Sequence, residues 1–463
     1  MRSNLTYTLD KIAEIYDGPH ATPKKLEEGN AIFLSISSIE NGRLNLEKSS
    51  FISEDDFVKW TRRVTPQAGD VVFSYETKIG EASIIPEGLR CCLGRRMGLL
   101  RAKQDKVLPQ YLLYAYLSPA FQDVIREKTI HGSTTDRISI KEMPSFEIQL
   151  PDIHTQRKVI QILSSIDNKL SKNAEINQTL EQIAQALFKS WFIDFEPVKA
   201  KIMTLEAGGS QEEATLAAMT AISGKNADSL TVFEREYPEK FAELRATAEL
   251  FPSAMQDIES AKLPEGWNLV PLSNIASFAS GKINVSELTK DTYISTENML
   301  VNKVGVERAT SLPSANTTPS FKIDHILISN IRPYFKKIWL ARFSGGRSPD
   351  VLAFEQKKNI TAEYLYNILY QDSFFDFMMQ TSKGVKMPRG DKTAIMGWTC
   401  IEPDIRLVKI FSNKVKEFYS YIESHNRENT QLSQLRDTLL PKLLSGEIPL
   451  PETEEIAKEA DYV

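Results

Sequence analysis

The chain has 463 residues, of which 41% are hydrophobic, and these values predict two or three domains with cores of their own. Its net charge of −5 argues against a uniformly basic surface. The acidic excess, however, lies in residues 192–262 and in the C-terminal part, so a local basic face is compatible with it. Three cysteines without a CxxC pair exclude a disulfide framework. The sequence contains no apolar run of about 18 residues and no signal-peptide core, which predicts a cytoplasmic chain that neither spans nor crosses a membrane.

Residues 1–150 alternate short β-type runs with turns, and they predict a mixed α/β domain. An amphipathic helix is predicted over 109–128 with a break at Pro119, and a polar loop over 131–139. The strand candidates are 31–36, 70–75, 82–85, 97–102 and 146–150.

A long helix is predicted over 151–192. Asp152 provides a cap, no Gly or Pro then occurs for about 40 residues, and apolar residues recur at intervals of three and four. At 1.5 Å per residue the helix would be roughly 60 Å long. Its apolar stripe therefore predicts a partner helix.

The partner is predicted within the same chain, because the sequence repeats. Pro403-Asp404-Ile405 follows Pro151-Asp152-Ile153 at an offset of 252 residues, and the apolar positions then match without a gap until Pro441, which is expected to end the second copy. The match continues upstream with a drifting offset, as loop insertions would produce. Val71 matches Ile326, Tyr111 matches Tyr364 and Arg137 matches Arg389.

The organisation predicted from this repeat has six parts. They are a first domain (1–150), a first long helix (151–192), an acidic linker with helical segments and a flexible GGS joint (193–262), a second domain (263–402), a second long helix (403–445) and an acidic tail (446–463). The predicted fold class is α+β, with two mixed α/β domains alternating with two long helices that pair as an antiparallel coiled coil, in an internal pseudo-twofold repeat.

Catalytic motifs are missing from the sequence. It contains no GxxxxGK[ST] phosphate loop, no GxGxxG and no Asn-Pro-Pro-aromatic tetrapeptide, and its five histidines show no metal-ligand spacing. Asp350 and Glu355 fit a loose PD…ExK nuclease pattern. An odd separation in one strand directs two side chains to opposite faces, whereas metal chelation needs them on the same side.

Two polar loops are the candidates for recognising a ligand such as DNA. The loop 132–137 contains hydroxyl groups and one arginine, and the loop 384–392 contains three cations. The candidate DNA-binding residues are Lys78, Arg95, Arg96, Ser133, Thr134, Thr135, Arg137, Arg332, Tyr334, Lys336, Lys337, Lys383, Lys386, Arg389 and Lys392. No catalytic or metal-binding residue is predicted.

Polar residues interrupt the apolar stripe of both long helices, at Asn173, Asn177, His425, Asn429 and Arg436. They indicate either a solvated break in the helix pair or buried polar groups that fix its register. The sequence alone does not decide between the two.

Several motifs together resemble the specificity subunit of bacterial Type I restriction-modification systems, over nearly the whole chain. They are DGPHATP (17–23), AGDVVFS (68–74), NQTLEQIAQALFKSWFIDFEPV (177–198), LPEGW (263–267), ISNIRPYFKKIW (328–339) and LRDTLLPKLLSGEI (435–448). One departure is Asp324-His325, which stands where the family has Gly-Asp, as at Gly69-Asp70. The sequence therefore does not predict the backbone conformation of that turn.

The resemblance implies a non-catalytic subunit with two target-recognition domains. It would recognise a split, asymmetric sequence in double-stranded DNA and bind two modification (methyltransferase) subunits, which restriction (helicase-nuclease) subunits join. It would carry no cofactor, because S-adenosylmethionine, ATP and Mg²⁺ belong to those partners. The main alternative is a coiled-coil scaffold that binds proteins without recognising DNA, and a third is a nuclease that uses Asp350 and Glu355.

Overall fold

In the computed structural model of the chain, the described residues are 4–40, 42–132, 135–258, 261–357, 359–384, 386–448 and 450. They form two compact units. The first contains the chain up to Asn173 and from Arg427 onwards, and the second is Ala174–Asn426. Each unit therefore combines one α/β domain with one part of each long helix. This division differs from the predicted one, which assigned each helix to a segment of its own.

The first unit contains a four-stranded antiparallel sheet, with strand order Ala13–Asp17, Met97–Ala102, Val71–Ser74 and Ala82–Ile84. A three-stranded sheet contains Ser50–Ile52, Ala31–Leu34 and Cys91–Leu93. Three short pairs are Leu5–Thr8 with Glu147–Leu150, Ile39–Glu40 with Arg43–Leu44, and Thr129–Ile130 with Arg137–Ile138. The helices are Leu9–Ile12, Glu54–Trp60, Pro109–Leu117 and Pro119–Glu127, with 3₁₀ turns at Ile36–Ser38, Leu46–Lys48 and Met143–Ser145. The predicted break at Pro119 is confirmed, because Ser118 ends one helix and caps the next.

The second unit repeats this sheet with strand order Ala276–Phe278, Val351–Gln356, Ile326–Ser329 and Ile338–Leu340. A second sheet contains Lys282–Asn284, Thr317–Phe321, Gly345–Arg347 and Tyr293–Ile294. Asn268–Pro271 pairs with Thr399–Glu402, and Met255–Ile258 pairs with Ala261–Pro264. Its domain helices are Leu272–Ile275, Ala362–Leu369, Asp372–Gln380 and Lys392–Met396, with 3₁₀ turns at Val285–Glu287 and Pro333–Phe335.

The long helices are Ile153–Phe192 and Ile405–Ser445, and both begin after Pro-Asp. The carboxylate of Asp152 accepts the N–H of Thr155 at 3.0 Å, and that of Asp404 accepts the N–H of Arg406 at 2.7 Å. Pro441 lies inside the second helix and does not end it. The next turn is anchored by Leu443, which is buried in the core of the first unit.

Within each unit the two helices run antiparallel. In the first unit the start of the first helix, with Val159 and Leu163, shares a core with Leu443 near the end of the second. In the second unit the end of the first helix, with Phe188 and Phe192, packs on Phe411 near the start of the second. The rings of Phe192 and Phe411 are perpendicular, with centroids 5.4 Å apart. The predicted fold class of α/β domains and antiparallel long helices is confirmed.

Residues 193–262 are more regular than predicted. They contain four helices, Glu196–Glu206, Gln211–Ser223, Ala227–Glu236 and Pro238–Leu250, and then one strand pair. The GGS stretch is a tight turn, because Ser210 and Glu213 form a reciprocal capping box. The ammonium of Lys201 is buried and donates to the carbonyls of Ala248 and Phe251, at 3.0 and 2.6 Å. This segment, here called the helical insertion, is a packed part of the second unit.

The three cysteines are buried thiols. Cys91 and Cys92 lie in a strand of the first unit, and Cys400 lies in a strand of the second. Burial raises the pKa of each of these thiols to about 12.

Candidate nucleic-acid interface

Matched turns set the start of one central strand in each unit. In the first unit the carboxylate of Asp70 accepts the N–H of Gln67 at 2.8 Å, and Gly69 has φ +88°. In the second, Nδ1 of His325 accepts the N–H of Lys322 at 3.3 Å, and Asp324 has φ +68°. Asp324-His325 thus reproduces the Gly69-Asp70 turn with different residues, because Asp tolerates the left-handed conformation and the imidazole replaces the carboxylate as acceptor.

The strand that follows each turn ends at a loop that is bridged to the predicted recognition loop. In the first unit Glu76 and Arg137 form an isolated β-bridge, and the N–H of Ile138 donates to the carbonyl of Tyr75 at 2.8 Å. The N–H of Tyr75 donates to the carbonyl of Arg96 at 3.2 Å. The structure therefore brings Lys78, Arg95, Arg96 and Arg137 to the same end of the four-stranded sheet.

The side chains at this end differ in their availability. Arg96 pairs with Glu76, with Nε and Oε2 3.1 Å apart, and Lys78 donates to the carbonyl of Ile39 at 3.2 Å. Arg95 and Arg137 are exposed, and no hydrogen bond or ion pair joins their side chains to another described residue. Thr135 is half-buried. The predicted residues Ser133 and Thr134 lie outside the described residues.

The second unit has the equivalent arrangement. Ile331 and Arg389 form an isolated β-bridge, and the N–H of Gly390 donates to the carbonyl of Asn330 at 3.4 Å. The N–H of Asn330 donates to the carbonyl of Asp350 at 2.8 Å. The bridge of Ile331 and Arg389 corresponds to that of Glu76 and Arg137 in the first unit. Gly390, Asn330 and Asp350 correspond to Ile138, Tyr75 and Arg96. The matched bridges place the two recognition loops at equivalent sheet ends.

Backbone hydrogen bonds close the second loop. Lys383 and Arg389 exchange two of them, at 2.9 and 3.0 Å, and the N–H of Arg332 donates to the carbonyl of Pro388 at 2.8 Å. Arg332 itself has φ +50° and is half-buried. The loop that follows the strand Ile326–Ser329 and the recognition loop are therefore held together by their backbones.

Several predicted cations of this unit are held by other groups. Lys336 lies 3.0 Å from Asp372, and Lys383 lies 2.5 Å from Asp391. Lys337 donates to the carbonyl of Thr296 at 2.6 Å, and burial lowers its pKa. Tyr334, Lys386 and Lys392 are exposed, and no side-chain hydrogen bond or ion pair is found for them among the described residues.

Asp350 has a partner that the sequence pattern did not suggest. Its carboxylate lies 3.2 Å from Nη2 of Arg389, whereas Glu355 lies within the strand Val351–Gln356, opposite Ser277. Among the described residues, no group of three or more His, Cys, Asp or Glu side chains could hold a metal ion. Glu76 was not among the predicted site residues, and Asp350 was named only for the nuclease hypothesis, although the sheet register makes Asp350 equivalent to Arg96.

The polar residues of the long helices are bonded to one another. Asn173 is buried, and its amide donates to Glu428 at 2.7 Å and to Asn429 at 2.9 Å. In the other unit Asn177 donates to Asn426 at 3.0 Å and contacts Nδ1 of His425 at 2.8 Å. The offset of 252 residues makes Asn173 equivalent to His425 and Asn177 equivalent to Asn429. The Asn173–Asn429 contact of one unit is therefore equivalent to the His425–Asn177 contact of the other. This favours the interpretation that polar groups fix the register over that of a solvated break.

Residues 3–182 match the family model of the Type I restriction modification DNA specificity domain. The HindI specificity subunit of Haemophilus influenzae is 30% identical over 369 residues, which are 74% of this chain and 78% of that protein. The MjaIX specificity subunit of Methanocaldococcus jannaschii is 29% identical over 41% of this chain and 40% of its own length. A crystal structure of the S subunit of M. genitalium has the same fold, with a TM-score of 0.50 at 15% identity over 96% of each chain.

The chain has two α/β domains with equivalent bridges at their loops, and two long helices that pair with each other. This is the architecture of DNA specificity subunits. The chain belongs to the family of type I restriction enzyme specificity subunits. It is a non-catalytic subunit for recognition of the DNA target and assembly of the complex, and neither the scaffold nor the nuclease alternative is favoured. In the described part of the chain, no helix is long and apolar enough to cross a membrane.

Proposed function

We propose that each unit recognises one half of a split, asymmetric DNA target, and that the chain binds two modification subunits, which restriction subunits join. S-adenosylmethionine, ATP and Mg²⁺ would be bound by those partners in the cytoplasm. The observation that carries the proposal is the pair of equivalent bridges, Glu76 to Arg137 and Ile331 to Arg389. Equivalent loop ends with different side chains would contact two different base sequences, and this produces an asymmetric target.

Two equivalent apolar positions support the proposed number of modification subunits. Ile183 on the first long helix and Leu435 on the second are 252 residues apart, and their exposed fractions are 46% and 47%. A large apolar side chain on a helix surface gains free energy when a partner buries it. A repeated position of this kind provides one contact point in each unit, so two copies of the same partner are expected.

The DNA-binding part is tested by sequencing the methylated sites of a host with and without this gene. Loss of a split adenine-methylation motif is expected. Arg137→Ala should then weaken discrimination in one half of the motif and Arg389→Ala in the other, by roughly 1–3 kcal/mol for a base contact. Arg235→Ala, at an exposed position of the helical insertion, is the control. Unchanged rate and sequence preference in both loop variants would exclude these two arginines from recognition.

The assembly part is tested by the mass of the purified complex. Ile183→Asp and Leu435→Asp should each remove one modification subunit, and the double variant should remove both. Ile183→Val should retain both subunits, since it keeps an apolar side chain. Full assembly of the double variant would show that other surfaces bind the partner.

A further inference from the structure

One carboxylate–arginine pair lies at the loop end of each unit, and the two pairs share one equivalent position, that of Arg96 and Asp350. In the first unit Arg96, which precedes the strand Met97–Ala102, pairs with Glu76. The equivalent position in the second unit is Asp350, since Ser74 pairs with Met97 in one sheet as Ser329 pairs with Val351 in the other. Asp350 pairs with Arg389 of the recognition loop. The same place therefore carries an arginine in one unit and a carboxylate in the other.

In both pairs the carboxylate is more covered than the arginine. The exposed fractions of the side chains are 23% for Glu76 and 31% for Arg96, and 34% for Asp350 and 54% for Arg389. The carboxylates are also anchored through their backbones, Glu76 by its bridge to Arg137 and Asp350 by the N–H of Asn330. Each arginine is therefore paired with a carboxylate whose backbone is fixed by hydrogen bonds.

The guanidinium keeps further donors after this contact. It has five N–H donors in a planar fork, so a carboxylate that takes one of them leaves a pair of parallel donors. In Arg96 the Nε atom lies 3.1 Å from Oε2 of Glu76 as an ion-pair contact and is not hydrogen-bonded among the described residues, and Nη1 donates to Thr77 at 3.3 Å. In Arg389 the contact is through Nη2. Ion pairs with an exposed partner add little to stability, so stabilising the fold is a weak account of the Asp350–Arg389 pair, in which Arg389 is 54% exposed.

We propose that Glu76 and Asp350 are positioning residues, which hold Arg96 and Arg389 for bidentate contact with a guanine in the major groove. Guanine is the base whose O6 and N7 accept two parallel N–H donors. The inference rests on the proposed function, because it requires the loop ends to face DNA. The two arginines belong to different structural elements, so the guanine occupies a different place in each half of the target.

The experiment uses the full chain in complex with its modification subunits. The substrate is a library of duplexes in which each base pair of the methylated motif is replaced in turn. Asp350→Asn keeps the shape of the side chain and removes its charge. It should reduce discrimination at one G·C pair of one half-site by roughly 5- to 150-fold. Arg389→Ala should lose discrimination at the same pair, and the double variant should be no worse than Arg389→Ala alone.

Three further variants complete the test. Asp350→Glu should restore part of the discrimination, and Glu76→Gln should relax one position of the other half-site. Asp291→Asn is the matched control, since it alters an exposed pair of the second unit, with Asp291 3.1 Å from Arg308. The base preferences of the Asp291→Asn complex should equal those of the wild type.

Either of two results at Asp350 would refute the positioning role. One is an equal loss of methylation by Asp350→Asn on every duplex, and the other is an additive effect of Asp350→Asn and Arg389→Ala. Unchanged preferences in Asp350→Asn and Glu76→Gln would refute it as well, while leaving the proposed function intact. A wild-type complex that methylates no DNA would instead refute the proposed function itself.

Discussion

Glu181 makes the stability of the second unit depend on pH. Its carboxyl lies on the first long helix, near Tyr366, Tyr370 and Tyr419. Burial raises its pKa from 4.5 to about 7, against smaller opposing effects of a hydrogen bond from Gln185 and of two cations, Arg342 and Lys303. The folded state therefore binds more protons than the unfolded state between these two values.

The direction of the effect follows from this difference. As the pH rises from about 4.5 to about 7, stability falls, and above about 7 it changes no further on account of this group. The raised pKa of Glu181 corresponds to a change of about 3 kcal/mol in the free energy of unfolding over this pH interval. Glu181→Gln resembles the protonated side chain. We therefore expect it to stabilise the second unit by up to about 3 kcal/mol at pH 8 and to have almost no effect at pH 4.5.

Denaturant unfolding at several pH values measures this free energy. Four of the five tryptophans, Trp191, Trp267, Trp339 and Trp398, belong to the second unit, so their fluorescence reports its unfolding. Glu206→Gln, at an exposed acid of the same unit, is the control, and its effect should stay within about 0.5 kcal/mol at both pH values. A stabilisation by Glu181→Gln that is the same at pH 4.5 and pH 8 would contradict the raised pKa of this half-buried carboxyl.

Three substitutions in the first unit have expected effects on its unfolding free energy, measured in denaturant through the labelling of its buried thiols, Cys91 and Cys92. Asn173→Ala removes the donor to Asn429 and should destabilise the unit by about 1–3 kcal/mol, and an unchanged midpoint would mean that the polar contact adds nothing. Gly98→Ala should destabilise by about 1–3 kcal/mol, because the added Cβ would lie 2.3 Å from the Phe73 ring. A wild-type midpoint would show that the ring can move aside. Arg101→Ala leaves the buried carboxylate of Asp70 without its partner at 2.7 Å and should destabilise by roughly 3 kcal/mol. The effect of Lys48→Ala, in the exposed pair with Glu40 of the same unit, should stay below about 1 kcal/mol, and equal losses in the two variants would contradict the role of burial.

The long helices and the central strands are predictable because their information is local. A long stripe of apolar residues after Pro-Asp, with polar residues at only a few of its positions, specifies each helix, and short alternating runs such as 97–102 specify strands. The repeat offsets by themselves pair Arg137 with Arg389. The structure places these two arginines at equivalent bridges, whereas their contact with DNA stays a prediction.

The ion pairs of the interface could not be predicted, because they depend on tertiary placement. Asp350 and Arg389 are 39 residues apart, and only the sheet register brings them together. Lys336 and Lys337 resemble DNA-binding cations in the sequence, yet Lys336 pairs with Asp372, and Lys337 is half-buried and donates to the carbonyl of Thr296. The helical insertion has a polar composition, which predicts a linker. Its few apolar residues nevertheless form a small core, in which Leu230 and Phe241 are buried.

The buried cysteines provide each unit with its own reporter of opening. A thiol reagent reacts with the thiolate, and burial suppresses both the thiolate and access to it. Modification of Cys91 and Cys92 therefore requires the first unit to open, and modification of Cys400 requires the second. Peptide mass analysis of one labelled sample would give the opening rates of both units separately, in the wild-type chain and without any engineered probe. Their protection on adding DNA would show which unit is bound first.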